Sequence, residues 1–220
     1  NANIHKKSVW IHPAMKIFSK AIFNNIDLCI VPSERIKANL LSIFPNDKII
    51  IIADSRFNQV FNRYLLNKDK AFLPDHFKKT NNIIFGSYDY QDLKLIYNTI
   101  IHLYPDGDQS LMKDQSKIIL VPHEININTI NQLAIQLNKK NFSTELYSLL
   151  KNKATTPNIV IIDCIGVLAD IYKYSYLAYI GGGFTRGVHS VLEPGIYGCA
   201  ISFGPNIEIL DELQDIYNLK

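Results

Sequence analysis

A glycine-rich loop that also carries a cation and an imidazole is the strongest chemical signal in the sequence. Residues 181–190 read GGGFTRGVHS and lead from an apolar run into an amphipathic one. Glycines let a backbone approach an anion closely, and the N-terminus of a following helix offers free N–H groups. Arg186 adds a guanidinium that can bind phosphate or carboxylate. The loop therefore favours a ligand site, and the alternative is a tight strand-to-helix turn.

Two familiar nucleotide-binding fingerprints do not explain this loop. A dinucleotide motif of the form G-x-G-x-x-G needs a third glycine where Arg186 stands. It also needs an acidic residue about 20 positions further on, but that predicted strand reads ISF at residues 201–203. A phosphate loop of the Walker A type needs Gly-Lys-Ser/Thr, which does not follow. Both interpretations are weak.

Other polar residues stand at the predicted carboxyl ends of strands or just beyond them. Glu193 lies one turn into the helix after the loop, where a carboxylate can accept hydrogen bonds from both hydroxyls of a ribose or simply complement the helix dipole. Pro122 and His123 end another strand, and the imidazole can stack on a base, bind phosphate or lie solvated. Asp163 ends a third strand, where an aspartate is more often a turn or cap residue.

Composition excludes several other classes of protein. The 220 residues are 47% apolar and 20% charged, too apolar for a disordered chain. Interspersed charges sum to +3, without the basic arm that binds nucleic acid, so no nucleic-acid partner is expected. Three scattered cysteines predict reduced core residues in a cytosolic compartment, and six histidines without ligand spacing predict no metal. No apolar run reaches the ~20 residues that span a bilayer, and the missing initiator Met predicts a piece of a longer protein.

The order of elements predicts an α/β fold. Residues 9–24 form an amphipathic helix, 28–31 a short strand, and 48–52 a buried strand, with Ser33 capping the helix between the two strands. Residues 54–80 are polar, contain Pro74 and are predicted to be a linker. Five further strands are predicted at 83–85, 117–121, 159–162, 177–180 and 200–203, separated by helices at about 90–104, 127–139, from 166 and 190–197, with a last helix from about 206.

Short apolar strands separated by helices predict a parallel sheet with helices on both faces. In such sheets ligands bind beyond the carboxyl ends of the strands. Those ends hold Gly86 and Ser87, Pro122 and His123, residues 163–166, residues 181–187, and Gly204 with Pro205. Their convergence on one edge is the most informative feature of the pattern.

Together these residues resemble a known enzyme family. The run AYIGGGFTRGVHSVLEP at residues 178–194, continued by FGPN at 203–206, is similar to the 3-deoxy-D-manno-octulosonic acid (Kdo) transferases of lipid A biosynthesis. The segments IIDCIGVL, LVPHE and ADSRF, which begin at residues 161, 120 and 53, agree in order and spacing. The resemblance covers nearly the whole chain.

The resemblance implies a GT-B architecture of two Rossmann-like domains facing a cleft. Residues 1–53 would be the end of the acceptor-side domain, 54–80 the interdomain linker, and 81–220 the donor-binding domain. The implied activity moves Kdo from CMP-Kdo to a lipid A precursor with no metal or other cofactor. It also implies a peripheral enzyme at the cytoplasmic face of the bacterial inner membrane, held there by a part outside this chain, which is itself expected to be soluble.

The resemblance also implies the contacts of the donor. CMP would be bound by Pro122, His123, Ile165, Gly166, Val167, Ser190, Val191, Leu192 and Glu193. Glu193 would hold the ribose, and helix starts at Gly166 and Ser190 would receive the phosphate. Further contacts with the phosphate or carboxylate of the donor are expected from Ser87, Gly183, Arg186, Gly187 and His189.

Two departures from the family pattern qualify this expectation. Ser190 stands where the family usually has Asn, so a hydroxyl replaces an amide. The general base of the family is a Glu early in the N-terminal domain, and no residue here is assigned to that role, so the chain alone is expected to be inactive. Two alternatives remain: another GT-B transferase or epimerase that uses a UDP-sugar, and a non-catalytic nucleotide-binding module.

Overall fold

A computed structural model describes residues 4–52, 54–152 and 156–207, together with Leu210 and Glu212. The chain divides into two compact units, Asn1–Arg63 and Tyr64–Lys220. This division falls inside the segment predicted to be a linker. Within the described ranges no helix is both long enough and apolar enough to cross a membrane.

The first unit contains a two-stranded parallel sheet and a small core. Strands β1 (Cys29–Val31) and β2 (Ile49–Ile51) pair in register, and helices α1 (Lys16–Phe23) and α2 (Glu34–Leu40) accompany them. The predicted cap is confirmed, because the hydroxyl of Ser33 accepts a hydrogen bond from the Ile36 N–H at 3.3 Å. The helix predicted from residue 9 begins only at Lys16, because His12 precedes Pro13 and is extended, as residues before proline usually are.

Helix α3 (Ser55–Asn67) lies where only an irregular linker was predicted. Asp54 stands at its N-terminus, and its carboxylate accepts a hydrogen bond from the Arg56 N–H at 2.9 Å. This is the geometry of a helix N-cap, so the start of α3 has a local cause. No helix was predicted for these 13 residues, which lie in the segment predicted to be a linker.

The second unit is built on a six-stranded parallel sheet. Its strands are β3 (Asn81–Tyr88), β4 (Ser116–Pro122), β5 (Thr144–Leu146), β6 (Ile159–Ile161), β7 (Ser175–Ile180) and β8 (Ala200–Phe203). Their order across the sheet is β5-β6-β4-β3-β7-β8, and every neighbouring pair is parallel. The helices of this unit are α4 (Leu93–Leu103), α5 (Asp108–Lys113), α6 (Ile127–Asn138), α7 (Leu168–Ile171) and α8 (Leu192–Ile196). The predicted parallel α/β sheet is confirmed, while α5 and β5 were not predicted.

Alternate residues of the strands enter two separate cores. Ile84 and Ile119 face one core, while their chain neighbours Phe85 and Ile118 face the other. Helices α4, α5 and α6 contribute buried residues to the second core, whereas α7 and the segment before α8 contribute to the first. Both faces of the sheet are therefore covered, as parallel strands require.

Two predicted helices are shorter than expected and begin two residues late. Gly166 cannot start α7, because its φ of +86° lies outside the right-handed helical region. Ser190 is a turn residue ahead of α8, and its hydroxyl accepts a hydrogen bond from the Leu192 N–H at 3.3 Å. The expectation that helices open at Gly166 and Ser190 was therefore wrong. The last predicted helix, from about residue 206, falls mostly outside the described residues.

Candidate functional site

The order of the strands marks one edge of the sheet as the place for a ligand. The chain proceeds from β3 to β4 on one side, and β7 later pairs with β3 on the other side. Ligands of open parallel sheets bind beyond the carboxyl ends of strands where the order reverses in this way. Here that place lies beside Ser87 at the end of β3 and Gly181 after β7. Ser87 has a φ of +51°, so the chain turns sharply at this point.

Asp92 ties the loop after β3 to the end of β7. Its carboxylate is 1% exposed and accepts hydrogen bonds from the N–H groups of Asp89 at 2.9 Å and Gly182 at 3.0 Å. Its other oxygen accepts the hydroxyl of Tyr179 at 3.0 Å. Burial, followed by the nearby charge of Asp92, raises the pKa of Tyr179, so that its hydroxyl remains a donor. Sequence reasoning missed Asp92, although the spacing Asp89-x-x-Asp92 is that of a capping box.

The glycine-rich loop is held by side chains and by close packing of two backbones. The amide of Asn206 donates to the Thr185 carbonyl at 2.9 Å, and the Thr185 hydroxyl donates to Asp89 at 2.9 Å. A Cβ placed on Gly183 would lie 2.6 Å from the backbone nitrogen of Gly204. Packing between two loops therefore requires Gly183, which favours the tight-turn interpretation at this position. Gly187, with a φ of +120°, completes the turn.

Two imidazoles from different loops stack at the centre of this edge. The rings of His123 and His189 have centroids 4.3 Å apart and an interplanar angle of 21°. The backbone N–H of His123 donates to the backbone carbonyl of Tyr88 at 3.0 Å, and this hydrogen bond holds the end of β4 against β3. Burial, and then the charge of His123, lowers the pKa of His189. Among the described residues, Nε2 of His189 has no hydrogen-bond partner.

Arg186 and Pro122 line a cavity of about 280 Å³ at the carboxyl ends of β3 and β4. The other lining residues come from the end of β3, from the loops after β3 and β4, from the starts of α4 and α6, and from the glycine-rich loop, and they include Asp89 and Glu124. None of residues 165–167 or 190–193 lines this cavity. The predicted contacts of the donor therefore fall into two groups. Pro122 and Arg186 line the cavity, residues 165–167 and 190–193 do not, and the stacked histidines lie on the segments between the two groups.

Ile165 and Gly166 are exposed residues of the second group of predicted donor contacts, in the loop after β6. Ile165 is 84% exposed, and a Cβ on Gly166 would meet no atom within 4 Å. Asp163 accepts a hydrogen bond from the Ser148 N–H at 3.0 Å and a second from its hydroxyl, so it acts as an anchor for this loop. Val167 packs against the first core. The side chain of Ile165 and the space beside the Cα of Gly166 therefore lie at the surface.

Glu193 lies half-buried in the first turn of α8. Its charge adds to the effect of burial in raising the pKa of Tyr172, which places the carboxylate close to that phenol. Val191 is 3% exposed and belongs to the first core, so its main chain is what it offers to a ligand. Leu192 is half-buried beside it. The described residues include no group of three or more His, Cys, Asp or Glu side chains suited to a metal ion.

Comparison with known proteins agrees with this architecture. No family model matches the chain. The chain is 25% identical over 228 residues to the 3-deoxy-D-manno-octulosonic acid transferase of Chlamydia muridarum. The matched region covers 100% of this chain and 50% of that protein. It is 26% identical over 209 residues to the enzyme of the same name from Rickettsia felis, covering 94% of this chain and 42% of that protein. The chain thus spans about half the length of the curated relatives that it matches.

A solved structure is similar to the fold. The C-terminal CMP-Kdo binding domain of WaaA from Acinetobacter baumannii has a TM-score of 0.50 and 16% identity, covering 74% of this chain and 75% of that chain. The predicted α/β fold of GT-B type is thereby confirmed. The particular proteins that the chain resembles are the Kdo transferases, so the resemblance expected from the motifs is also confirmed.

Proposed function

We propose that this chain is the donor-binding half of a Kdo transferase, which moves Kdo from CMP-Kdo to a lipid A precursor in lipopolysaccharide biosynthesis. One observation carries the proposal: the segments that match the Kdo transferases end three strands of one parallel sheet at the same edge. These segments are residues 120–124, 161–168 and 178–194, which span the carboxyl ends of β4, β6 and β7 respectively. The similarity to Kdo transferases over nearly all of this chain supports the same conclusion.

In this proposal CMP lies against the loop at 165–167 and the start of α8. N–H groups of the loop at 165–167 and of the segment ahead of α8 receive the phosphate, and Glu193 accepts hydrogen bonds from the ribose hydroxyls. The imidazole of His189, whose pKa is lowered by burial, can donate a hydrogen bond to the leaving phosphate, and the stacked ring of His123 lies beside it. Stabilising the charge that develops on CMP is how such a site lowers the barrier to transfer.

The acceptor side of the reaction belongs to the whole enzyme. A carboxylate of the acceptor-side domain would deprotonate the attacking hydroxyl of the lipid A precursor. No metal and no cofactor take part in the proposed transfer. We place the whole enzyme at the cytoplasmic face of a bacterial inner membrane, as a peripheral protein, because its acceptor is a lipid.

Calorimetric titration of the 220-residue chain with CMP and with UDP tests the proposal. We expect CMP to bind more tightly than UDP, and Glu193→Gln to weaken CMP binding about 10-fold or more, since a charged acceptor strengthens hydrogen bonds by that order. Glu34→Gln is a matched control, because Glu34 also lies in the first turn of a helix, in the other unit.

The outcomes separate the hypotheses. CMP binding that is lost in Glu193→Gln and kept in Glu34→Gln supports a ribose contact. Equal affinity of both variants for CMP would show that Glu193 does not contact the ribose and only complements the helix dipole. Tighter binding of UDP than of CMP would favour a UDP-sugar enzyme. Absence of any nucleotide binding by a folded chain contradicts the proposed function itself.

A further inference from the structure

Tyr172 is a buried tyrosine whose hydroxyl group forms no hydrogen bond within the described part of the chain. It is the first residue of the short 3-10 turn Tyr172–Tyr174 between α7 and β7, and it is 2% exposed, with its ring in the first core. The hydroxyl oxygen is not one of the fully enclosed atoms without a partner, so the small exposed fraction of Tyr172 includes this oxygen. Buried hydroxyl groups of native proteins nearly always have a partner, and a ligand can supply the one that is missing here.

The hydroxyl of Tyr172 occupies a space that a glycine leaves open near the end of β3. A Cβ placed on Gly86 would overlap this oxygen, and it would lie 3.1 Å from the ring carbon Cζ and 3.3 Å from Cδ1 of Leu168. Gly86 stands two residues before the end of β3, and Leu168 is the first residue of α7. The hydroxyl therefore lies just inside the carboxyl edge of the sheet, next to the loop at 165–167.

Tyr172 also lies next to α8, which carries the proposed ribose ligand. The thiol of Cys199, which follows α8, donates to the backbone carbonyl of Tyr172 with an Sγ–O distance of 3.4 Å. The carboxylate of Glu193 is close enough to raise the pKa of Tyr172, after the larger effect of burial. The phenol therefore stays protonated at neutral pH and keeps a proton to donate. A hydrogen-bond donor and a carboxylate acceptor thus stand near each other at this edge.

A donor beside a carboxylate matches a sugar hydroxyl better than it matches a phosphate. A hydroxyl group accepts and donates hydrogen bonds at the same time, so one ribose hydroxyl can accept from Tyr172 and donate to Glu193. In such a chain of hydrogen bonds each bond strengthens the next. A phosphate oxygen can accept from Tyr172 but has no proton for Glu193, and its charge is repelled by that carboxylate.

We infer that Tyr172 is a further binding residue of the nucleotide site, and that its hydroxyl donates a hydrogen bond to the ribose hydroxyl whose proton Glu193 accepts. This inference rests on the proposed function and deepens it, because it gives the ribose a second ligand from a different segment of the chain. It also gives Gly86 a reason to be glycine, since any side chain there would displace the phenol.

Nucleotides that lack one ribose hydroxyl test this contact. Calorimetric titration of the 220-residue chain uses CMP, 2′-deoxy-CMP and 3′-deoxy-CMP. We expect Tyr172→Phe to weaken CMP binding about 3- to 10-fold, the size of one neutral hydrogen bond. For one of the two deoxynucleotides the same variant should change the affinity by less than about twofold, because that nucleotide lacks the hydroxyl that Tyr172 binds. Tyr176→Phe removes a hydroxyl from a 69% exposed side chain of β7 and should leave all three affinities unchanged.

A second set of variants tests the position of the hydroxyl without any nucleotide. We expect Gly86→Ala to lower the urea concentration at the midpoint of unfolding, because its Cβ would overlap the phenol oxygen. Tyr172→Phe alone should remain folded, since its hydroxyl has no protein partner to lose. In the double variant Tyr172→Phe should restore part of the midpoint that Gly86→Ala loses. No restoration would show that the hydroxyl does not fill the space beside Gly86, and would overturn the inference.

The outcomes of the titrations separate this inference from the proposed function. If the unsubstituted chain and Tyr172→Phe bound CMP equally well, the inference would be overturned and the proposed function would stand. Equal weakening of CMP and of both deoxynucleotides would place Tyr172 on the phosphate or the base, which also overturns the inference. A folded, unsubstituted chain that does not bind CMP contradicts the proposed function, and the inference that rests on it fails as well.

Discussion

Two glycine-containing loops at the same sheet edge carry the same prediction and differ in structure. The loop at 181–187 and the loop at 163–167 were both predicted to offer glycine backbone to an anion. In the first loop, Asp92 accepts the Gly182 N–H, and Gly183 packs on Gly204. In the second, a Cβ on Gly166 would meet nothing within 4 Å. A run of glycines can therefore reflect contact between two backbones, whereas an isolated glycine can mark the open position.

The physical reason for the difference lies in what each glycine avoids. Gly183 avoids a steric clash with backbone atoms of Gly204, which cannot move without moving β8. Gly166 avoids conformational strain, since its φ of +86° is costly for a residue with a side chain. Only the second case leaves space for a ligand. The space beside Gly166 is thus empty, whereas the glycine-rich loop presents the side chain of Arg186 to a cavity.

Among the substitutions that test this comparison, removal of the Asp92 carboxylate, which holds the first loop, should change the free energy of unfolding most. Asp92→Ala leaves three donors without their acceptor, namely two backbone N–H groups and the Tyr179 hydroxyl. Each buried unsatisfied group costs about 1–3 kcal/mol, so we expect the free energy of unfolding to fall by about 3 kcal/mol or more. Urea denaturation measures this change.

An exposed aspartate provides the control for Asp92. Asp114 lies on the surface after α5, and Asp114→Ala should change the free energy of unfolding by no more than about 0.5 kcal/mol. If Asp92→Ala cost less than about 1 kcal/mol, which is the lower value for a single lost partner, the first loop would not depend on this carboxylate. The contrast with the open loop would then fail.

The sequence predicted the sheet better than it predicted the site. Apolar runs such as residues 117–121 and 159–162 identify buried strands because both faces of a parallel sheet are covered. Strand β5, with the sequence TEL, lies at the sheet edge and carries no such run. Helix α3 was missed because its residues are polar on average and none is buried.

Contacts between loops were beyond sequence reasoning. The stacking of His123 on His189 joins two loops that follow different strands and are far apart in sequence. No local pattern predicts such a contact, since it follows from the order of strands in the sheet. The role of Asp92 was accessible in part, because the capping-box spacing with Asp89 is local, but its bond to Gly182 is not.

A substitution of intermediate effect tests whether packing requires Gly183. We expect Gly183→Ala to lower the free energy of unfolding by about 1–3 kcal/mol, the usual cost of overpacking, because its Cβ would lie 2.6 Å from the Gly204 nitrogen. Gly195→Ala is the matched control, since Gly195 lies in α8 and a Cβ there would meet nothing within 4 Å. That variant should gain up to about 1 kcal/mol from helix propensity. If Gly183→Ala also raised the free energy of unfolding, the glycine-rich loop would have room for a Cβ, and the two loops would then be equally open.

The smallest expected effect concerns pH and the stacked histidines. Burial, and then His123, lowers the pKa of His189 in the folded chain below the value of about 6.5 that an unperturbed histidine has. Below that pH the unfolded chain binds a proton that the folded chain does not. The contribution of His189 to stability is therefore present above about pH 6.5 and is lost as the pH falls through the window below it.

Titration of the His189 ring by NMR measures this pKa directly. We expect a value below that of an unperturbed histidine, and a value closer to it in His123→Ala, because one cause is removed while the larger one, burial, remains. An unchanged value in His123→Ala would show that stacking does not couple the two rings electrostatically. A value at or above 6.5 would mean that the ring is solvated, and the first loop would then be as open as the second.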